Sequence, residues 1–244
     1  MTRFFAVPLG ASALLALSCA AHATVHDVVA DFSATTNTET SLWSYRTSTT
    51  AAHDGAYPLL PNFGPFAGFT GPAATTAGWA VSGVPAIGVN VSGADQFFTG
   101  FGPGAQFTWP AGAMFMHPGA ATLAVVSWLS PSAAQLSIAV RFSDMDGNAS
   151  YVDGVAWSVE KNSGGAALAA GSFPYRGSSG PVAISNVTVA AGDRIHFIVG
   201  GNGDYQGDST RLEATITTSP VPEPATWMLA LAGGALLLAR RRQA

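Results

Sequence analysis

The chain has 244 residues, with 28 glycines and 15 prolines, so it can bury one sizeable core but offers few windows for a long helix. Hydrophobic residues make up 48% and charged residues 10%, and part of the apolar excess sits at the two ends. Between Thr24 and Ser219 six Arg or Lys face thirteen Asp or Glu, an excess of negative charge that repels a phosphate backbone and excludes nucleic acid as a partner.

The N-terminus reads Met-Thr-Arg3, then an apolar stretch from Phe4 to Ala21, then Ala21-His22-Ala23. A positive start, an apolar middle and small residues at both specificity positions define a secretion signal, with cleavage by signal peptidase expected after Ala23. Residues 1–23 are therefore expected to be absent from the folded passenger. Cys19 is the only cysteine and lies within this segment, so the mature chain has no disulfide and depends on packing. A lipoprotein reading of Ala16-Leu17-Ser18-Cys19 would want leucine where Ala16 stands.

The passenger, residues 24–219, shows period-two alternation. Leu136, Ile138, Val140 and Phe142 alternate with Ser137, Ala139 and Arg141, which predicts a half-buried strand. The same pattern recurs at Val155-Trp157-Val159, Val182-Ile184, Val187-Val189, Ile195-Phe197-Val199 and Leu212-Ala214-Ile216, with Gly, Asn, Asp or Pro between. Short strands at this spacing predict an all-β, jelly-roll-like antiparallel β-sandwich with few helices. From Ala51 to Gly119 prolines recur from Pro58 to Pro118, so only short or edge strands are expected there, with no internal repeat and no second domain.

The C-terminal tail, residues 220–244, has three parts: Val221-Pro222-Glu223-Pro224, an uncharged run from Ala225 to Ala239, and Arg240-Arg241-Arg242. The positive-inside rule keeps the arginines on the cytoplasmic side as a stop-transfer signal. As a helix the run would span about 22 Å, against roughly 30 Å of hydrocarbon, so it is a thin membrane anchor suited to a transient stay.

Motif, spacing, arginine cluster and chain end together resemble the PEP-CTERM sorting signal, with Pro222, Glu223 and Pro224 carrying the match. The resemblance implies recognition by a membrane-embedded exosortase, cleavage of the tail, and delivery to the surface or matrix of a Gram-negative, exopolysaccharide-producing host. An ordinary single-span anchor behind a proline linker would also place the passenger outside the inner membrane.

The passenger in turn resembles a carbohydrate-binding-like β-sandwich module of exported bacterial proteins. The resemblance rests on Leu42-Trp43-Ser44-Tyr45, His117-Pro118-Gly119, Val126 to Pro131 with Trp128, Ala191-Gly192-Asp193-Arg194-Ile195 and Asp208-Ser209-Thr210. Each mark also has a structural explanation: Ala-Gly-Asp suits a tight turn, His117 before Pro118 suits a turn, and Trp43, Trp128 and Trp157 suit a core. Trp79 and Trp109, in the proline-rich half where loops carry recognition, are the candidates for exposed rings that stack on a sugar.

Two acidic stretches are candidates for structural calcium. Asp144, Asp146 and Asn148, with Asp153 beyond, put oxygen donors at alternate positions, but an EF-hand would need glycine at Ala149 and glutamate at Val155, and a hairpin turn explains the stretch better. The second stretch runs from Gly201 to Asp208 and offers Asp204 and Asp208 in a glycine-rich loop.

No H-E-x-x-H, G-x-S-x-G, mature cysteine nucleophile or phosphate-cradling loop is present. Glu160, Asp193 and Glu213 are the carboxylates from which a glycosidase pair could be assembled in space. The reading is a non-catalytic surface or matrix protein that holds polysaccharide. The alternatives are a purely structural or adhesive module and a secreted glycoside hydrolase.

Overall fold

The described residues between Thr24 and Pro220 form fifteen β-strands. They are β1 (Thr24–Asp27), β2 (Trp43–Thr47), β3 (Asn62–Pro65), β4 (Ala77–Ala80), β5 (Ala86–Val89), β6 (Gln96–Phe98), β7 (Phe107–Trp109) and β8 (Met114–His117). The second half adds β9 (Ala124–Leu129), β10 (Ala134–Asp144), β11 (Val155–Lys161), β12 (Ala167–Phe173), β13 (Val182–Val189), β14 (Arg194–Gly201) and β15 (Thr210–Pro220). The computed structural model describes residues 23–70, 72, 75–98, 107–147, 153–162, 164, 166–220, 233–234 and 240–241.

The strands build an antiparallel β-sandwich. One sheet has eight strands in the order β13-β10-β15-β8-β5-β4-β3, with β1 beside β15; the facing sheet has five, β12-β11-β14-β9-β2; β6 and β7 form a separate hairpin. The alternation read in the sequence decides which residues enter the interior: along β10 every second residue from Ala134 to Phe142 is buried and those between are exposed. Leu136, Ile138 and Phe142 meet Trp157, Val159, Phe197 and Val126 of the facing sheet in the main core. Each such side chain contributes about 1.5–3 kcal/mol through loss of apolar contact with water. Trp43, Trp128 and Trp157 lie in this core as their type suggests, and Trp157 stacks on Phe142 at 5.3 Å.

The two short runs Val182-Ile184 and Val187-Val189 are one strand. They are out of phase by one residue, and a bulge restores the phase: Leu136 pairs with Val187 and Ile138 with Ile184, leaving an extra residue on β13. Asn186 takes a φ of 60° within this bulge. Asparagine tolerates that left-handed conformation better than the β-branched residues around it.

The proline-rich half builds more than irregular edge. Its strands are short, yet β5 and β8 sit inside the large sheet and are buried on both faces. One face of β8 sends Met114 and Met116 into the main core, and the other sends Phe115 into a second cluster with Phe98, Phe107 and Trp109. Gly78 and Gly88 are cross-strand partners that make room for this cluster. A Cβ on Gly78 would lie 2.5 Å from the Phe66 ring, and one on Gly88 would lie 3.1 Å from Trp109.

The two ends of the sandwich differ. Thr24 pairs with Thr218 and Ala134 with Pro220, so the start of β1 and the end of β15 share one pole. Asp144 pairs with Thr210 at the opposite pole, eleven residues or about 35 Å along β15.

Candidate functional site

The second pole gathers the two acidic stretches into one place. Both loops cross from the large sheet to the small one or back: β10 leads into β11 through the first, and β14 into β15 through the second. Backbone bonds join them, Met145 N donating to Ser209 O at 2.8 Å and Ser209 N to the Asp146 carboxylate at 2.8 Å. Asp153 accepts the Asp204 N–H on Oδ2 at 2.5 Å and the Asn202 side-chain amide on its backbone carbonyl at 2.9 Å. Asp144 accepts the Asp146 N–H at 2.8 Å on one oxygen and the backbone N–H of Arg176 on the other. Asn148 lies outside the described residues.

Asp208 sits at the centre of this pole and is 1% exposed, and among the described residues neither carboxylate oxygen has a hydrogen-bond partner. Burial, followed by the negative charges of Asp153, Asp146, Asp144 and Asp204, pushes its pKa up to about 8. Burial likewise pushes Asp146 up to about 6, against the opposing pull of its bonds from Ser209. Two glycines let the backbone come this close to the carboxylates. A Cβ on Gly201 would stand 2.6 Å from the Asp204 carbonyl oxygen and 3.1 Å from Asp208 Oδ2, and one on Gly203 would stand 2.9 Å from Asp153 Oδ2. Among the described residues no three His, Cys, Asp or Glu side chains already stand in metal-holding geometry.

Beside this pole, the outer face of the large sheet carries an open hollow of about 390 Å³, lined by Thr108, Arg141, Asp144, Arg211 and Glu213 among others. A second hollow of about 440 Å³ continues along the same face past Arg141 and Glu213 to Asp27 and Val182. Arg141 and Glu213 are cross-strand partners, and Arg211 binds Glu213 at 2.6 Å. The floor is thus an alternating set of guanidinium and carboxylate groups.

The two indoles expected to be exposed are not. Trp79 is 7% exposed, donates its indole N–H to Ser33 O at 2.8 Å and packs in the main core. Trp109 is fully buried and donates to Ala113 O at 2.8 Å. Proline-rich sequence suggested surface loops, but the aromatic cluster under β6 and β7 draws Trp109 inward, and the main core takes Trp79. Neither ring offers a face to a sugar.

The three carboxylates considered for a glycosidase pair are also dispersed. Glu160 lies on the outer face of the small sheet, 3% exposed, bonded to His53, Tyr57 and Ser158. Glu213 lies on the outer face of the large sheet, and Asp193 closes the turn before β14, where it pairs with Lys161 at 3.0 Å. His117 ends β8 and bonds the Pro118 carbonyl at 2.7 Å, a local turn contact.

A buried polar row on the small sheet escaped sequence reasoning. Glu160, His196, Ser127 and Ser44 are successive cross-strand neighbours on β11, β14, β9 and β2. The segment from Ser48 to Leu60 covers this face, with Tyr57 edge-on to His196 at 5.0 Å and its carbonyl accepting from Arg46 at 2.8 Å. Ser127 Oγ and His196 Nδ1 are 2.6 Å apart. Burial, followed by the charges of Arg46 and Arg194, lowers the His196 pKa to about 4. The signal was present in the sequence: polar residues fill the outward phase of strands whose inward phase is apolar, yet only register shows that they align.

The fold defines the described part as an antiparallel β-sandwich protein. At its end, residues 220–243 match the PEP-CTERM protein-sorting motif, which bears out the resemblance read from Val221 to Arg242. Val221 to Pro224, most of the apolar run, Arg242 and the secretion signal up to His22 lie outside the described residues; Ala23, Arg240 and Arg241 are described and exposed. Among the described residues no helix is long and apolar enough to cross a membrane.

No protein of curated function matches the sequence. Among solved structures, the chain is similar to a GH26-CBM35 β-(1,4)-mannanase of Podospora anserina at 18% identity and a TM-score of 0.28, over 57% of this chain and 26% of that one. It is similar to the K3 adhesin domain of Lys-gingipain from Porphyromonas gingivalis at 16% identity and a TM-score of 0.29, over 44% of this chain and 72% of that one. A GH87 α-1,3-glucanase catalytic domain matches at 12% identity and a TM-score of 0.27, over 57% of this chain and 28% of that one. The chain thus spans about a quarter of the two glycosidases, and at this similarity none of the three assigns it an activity.

Proposed function

We propose that the chain is an exported protein that an exosortase processes at its C-terminal motif, and that its sandwich is a non-catalytic module holding polysaccharide at the surface or in the matrix of a Gram-negative host. The observation that carries the sorting reading is the motif match at residues 220–243. The match begins at Pro220, the last residue of β15. Signal peptidase cutting after Ala23 would free Thr24, the first residue of β1, at the same pole. Before the tail is cut, the pole that holds Thr24 and Pro220 would face the inner membrane, leaving the acidic pole directed away from it.

The polysaccharide reading is supported by the hollow on the large sheet. Arg141, Arg211 and Glu213 present donors and acceptors suited to sugar hydroxyls, so recognition there runs through hydrogen bonds instead of indole stacking. A hydrolase reading draws on the two carboxylates of that hollow, Asp144 and Glu213; both are already engaged, Asp144 by the backbone N–H of Asp146 and Glu213 by Arg211.

The test uses the whole chain expressed in its host with and without exosortase. Protein should reach the surface or medium only in the first strain and stay with the inner membrane in the second; release in both contradicts the sorting reading. Protein from the first strain is then sedimented with the host's exopolysaccharide. Arg141→Ala together with Arg211→Ala should cut retention about tenfold, roughly 1.4 kcal/mol of binding. Unchanged retention contradicts the hollow, no retention by the wild type favours a structural spacer, and new reducing ends favour a hydrolase.

A further inference from the structure

We propose that the acidic pole is a calcium site, with the Asp208 carboxylate at its centre and the carboxylates of Asp146, Asp153 and Asp204 and the Asp204 backbone carbonyl completing an all-oxygen shell. The site does not depend on the sorting or polysaccharide readings.

The decisive feature is Asp208. A carboxylate this deeply buried with neither oxygen hydrogen-bonded is costly, and natural structures resolve that cost with a proton, a cationic partner or a metal ion. A basic side chain does not fill the role. Arg211 is committed to Glu213, while Arg176 reaches the Gly147 carbonyl at 3.3 Å and contributes to the surroundings of Asp144, not to those of Asp208. A proton on Asp208 would cancel one charge and leave the carboxylates around it repelling one another. A divalent cation offsets two charges and attracts all of them.

The surroundings supply oxygen donors of a single kind. The Asp204 carbonyl oxygen and Asp208 Oδ2 both approach the empty side of Gly201, at 2.6 and 3.1 Å from where a Cβ would stand. Asp153 Oδ2 lies beside Gly203 on the same loop and holds the Asp204 N–H. Carboxylate and carbonyl oxygens without imidazole or thiolate select a hard cation. Calcium takes six to eight oxygens in irregular arrangement, whereas magnesium demands a near-octahedral shell that these unequal loops do not offer. Since among the described residues no three side chains share one ligating point, the cation would complete the site by drawing their carboxylates together. Each loop spans the two sheets, so the ion would clamp the sandwich at the pole opposite the sorting tail.

The test takes protein purified from cells expressing the whole chain, dialysed against EGTA and followed by thermal unfolding. Calcium at about 100 times its dissociation constant should raise the midpoint by roughly 5–10 °C, and magnesium at the same concentration by less. Asp208→Asn should lose the calcium shift while unfolding in EGTA at or above the wild-type midpoint, because the amide relieves the repulsion. No calcium shift in the wild type, or an equal shift in Asp208→Asn, overturns the site. Should Asp208→Asn lack a cooperative transition in EGTA, calorimetric titration of Asp204→Asn decides: weakened calcium binding supports the site, and wild-type affinity overturns it.

Discussion

The two halves of the sandwich are stabilised in different ways. From β9 to β15 the strands are six to eleven residues long and pair with their neighbours over many residues, and β10 and β15 alternate cleanly, so these two carry their own instruction about which side faces inward. From β2 to β8 the strands are three to five residues long, and what orders the stretch from β4 to β8 is an aromatic cluster. Phe66, Phe69, Phe107, Trp109 and Phe115 contact one another at ring-centroid distances of 5.2–6.4 Å around a glycine pair that clears the space. Local pattern suffices for the first kind of region, whereas the second depends on contacts distant in sequence.

That contrast can be broken at Trp109. Trp109→Ala removes the centre of the cluster and the bond to Ala113, and should cost about 3–5 kcal/mol in chemical denaturation, the largest single effect. A loss below 1 kcal/mol would mean that the first half is not held by this cluster.

The next effect probes the polar row where the halves meet. The folded pKa of His196, about 4, lies below its usual 6.5, so folding favours the neutral ring. Stability from this group is complete above pH 6.5 and declines as pH falls toward 4, because the unfolded chain takes up the proton first; the loss approaches about 3 kcal/mol. Denaturation at pH 7 and pH 4.5 should show a smaller acid loss for His196→Gln than for the wild type, and equal losses would remove His196 as the cause.

The smallest of these effects sharpens the role of the glycines. Gly78→Ala places a methyl 2.3 Å from the Ile87 carbonyl and against Phe66, and should cost about 1–3 kcal/mol. Gly64, on the adjoining strand with nothing within 4 Å, should accept alanine with little change.

The same contrast explains what could be read in advance. Leu136 to Phe142 and Leu212 to Ile216 declared their strands and their buried faces through period two. Val182 to Val189 declared two strands where there is one, because a single bulge residue reverses the phase. Trp79 and Trp109 were misplaced because proline marks where long strands end but does not say whether the short ones pack outward or inward. The acidic loops were each visible, but their meeting depends on the order β11-β14 in one sheet and β10-β15 in the other, and no local pattern encodes it. The sorting motif is legible, since short linear order alone carries it.

The central claim is that this tail, not the sandwich, determines where the protein goes. It is tested most directly by intact mass of the protein recovered from exosortase-positive and exosortase-negative cells, alongside Glu223→Ala. The account predicts a chain that begins at Thr24 and lacks Arg240 to Arg242 only when both the exosortase and Glu223 are present. A tail retained in every strain, or lost in every strain, would contradict it.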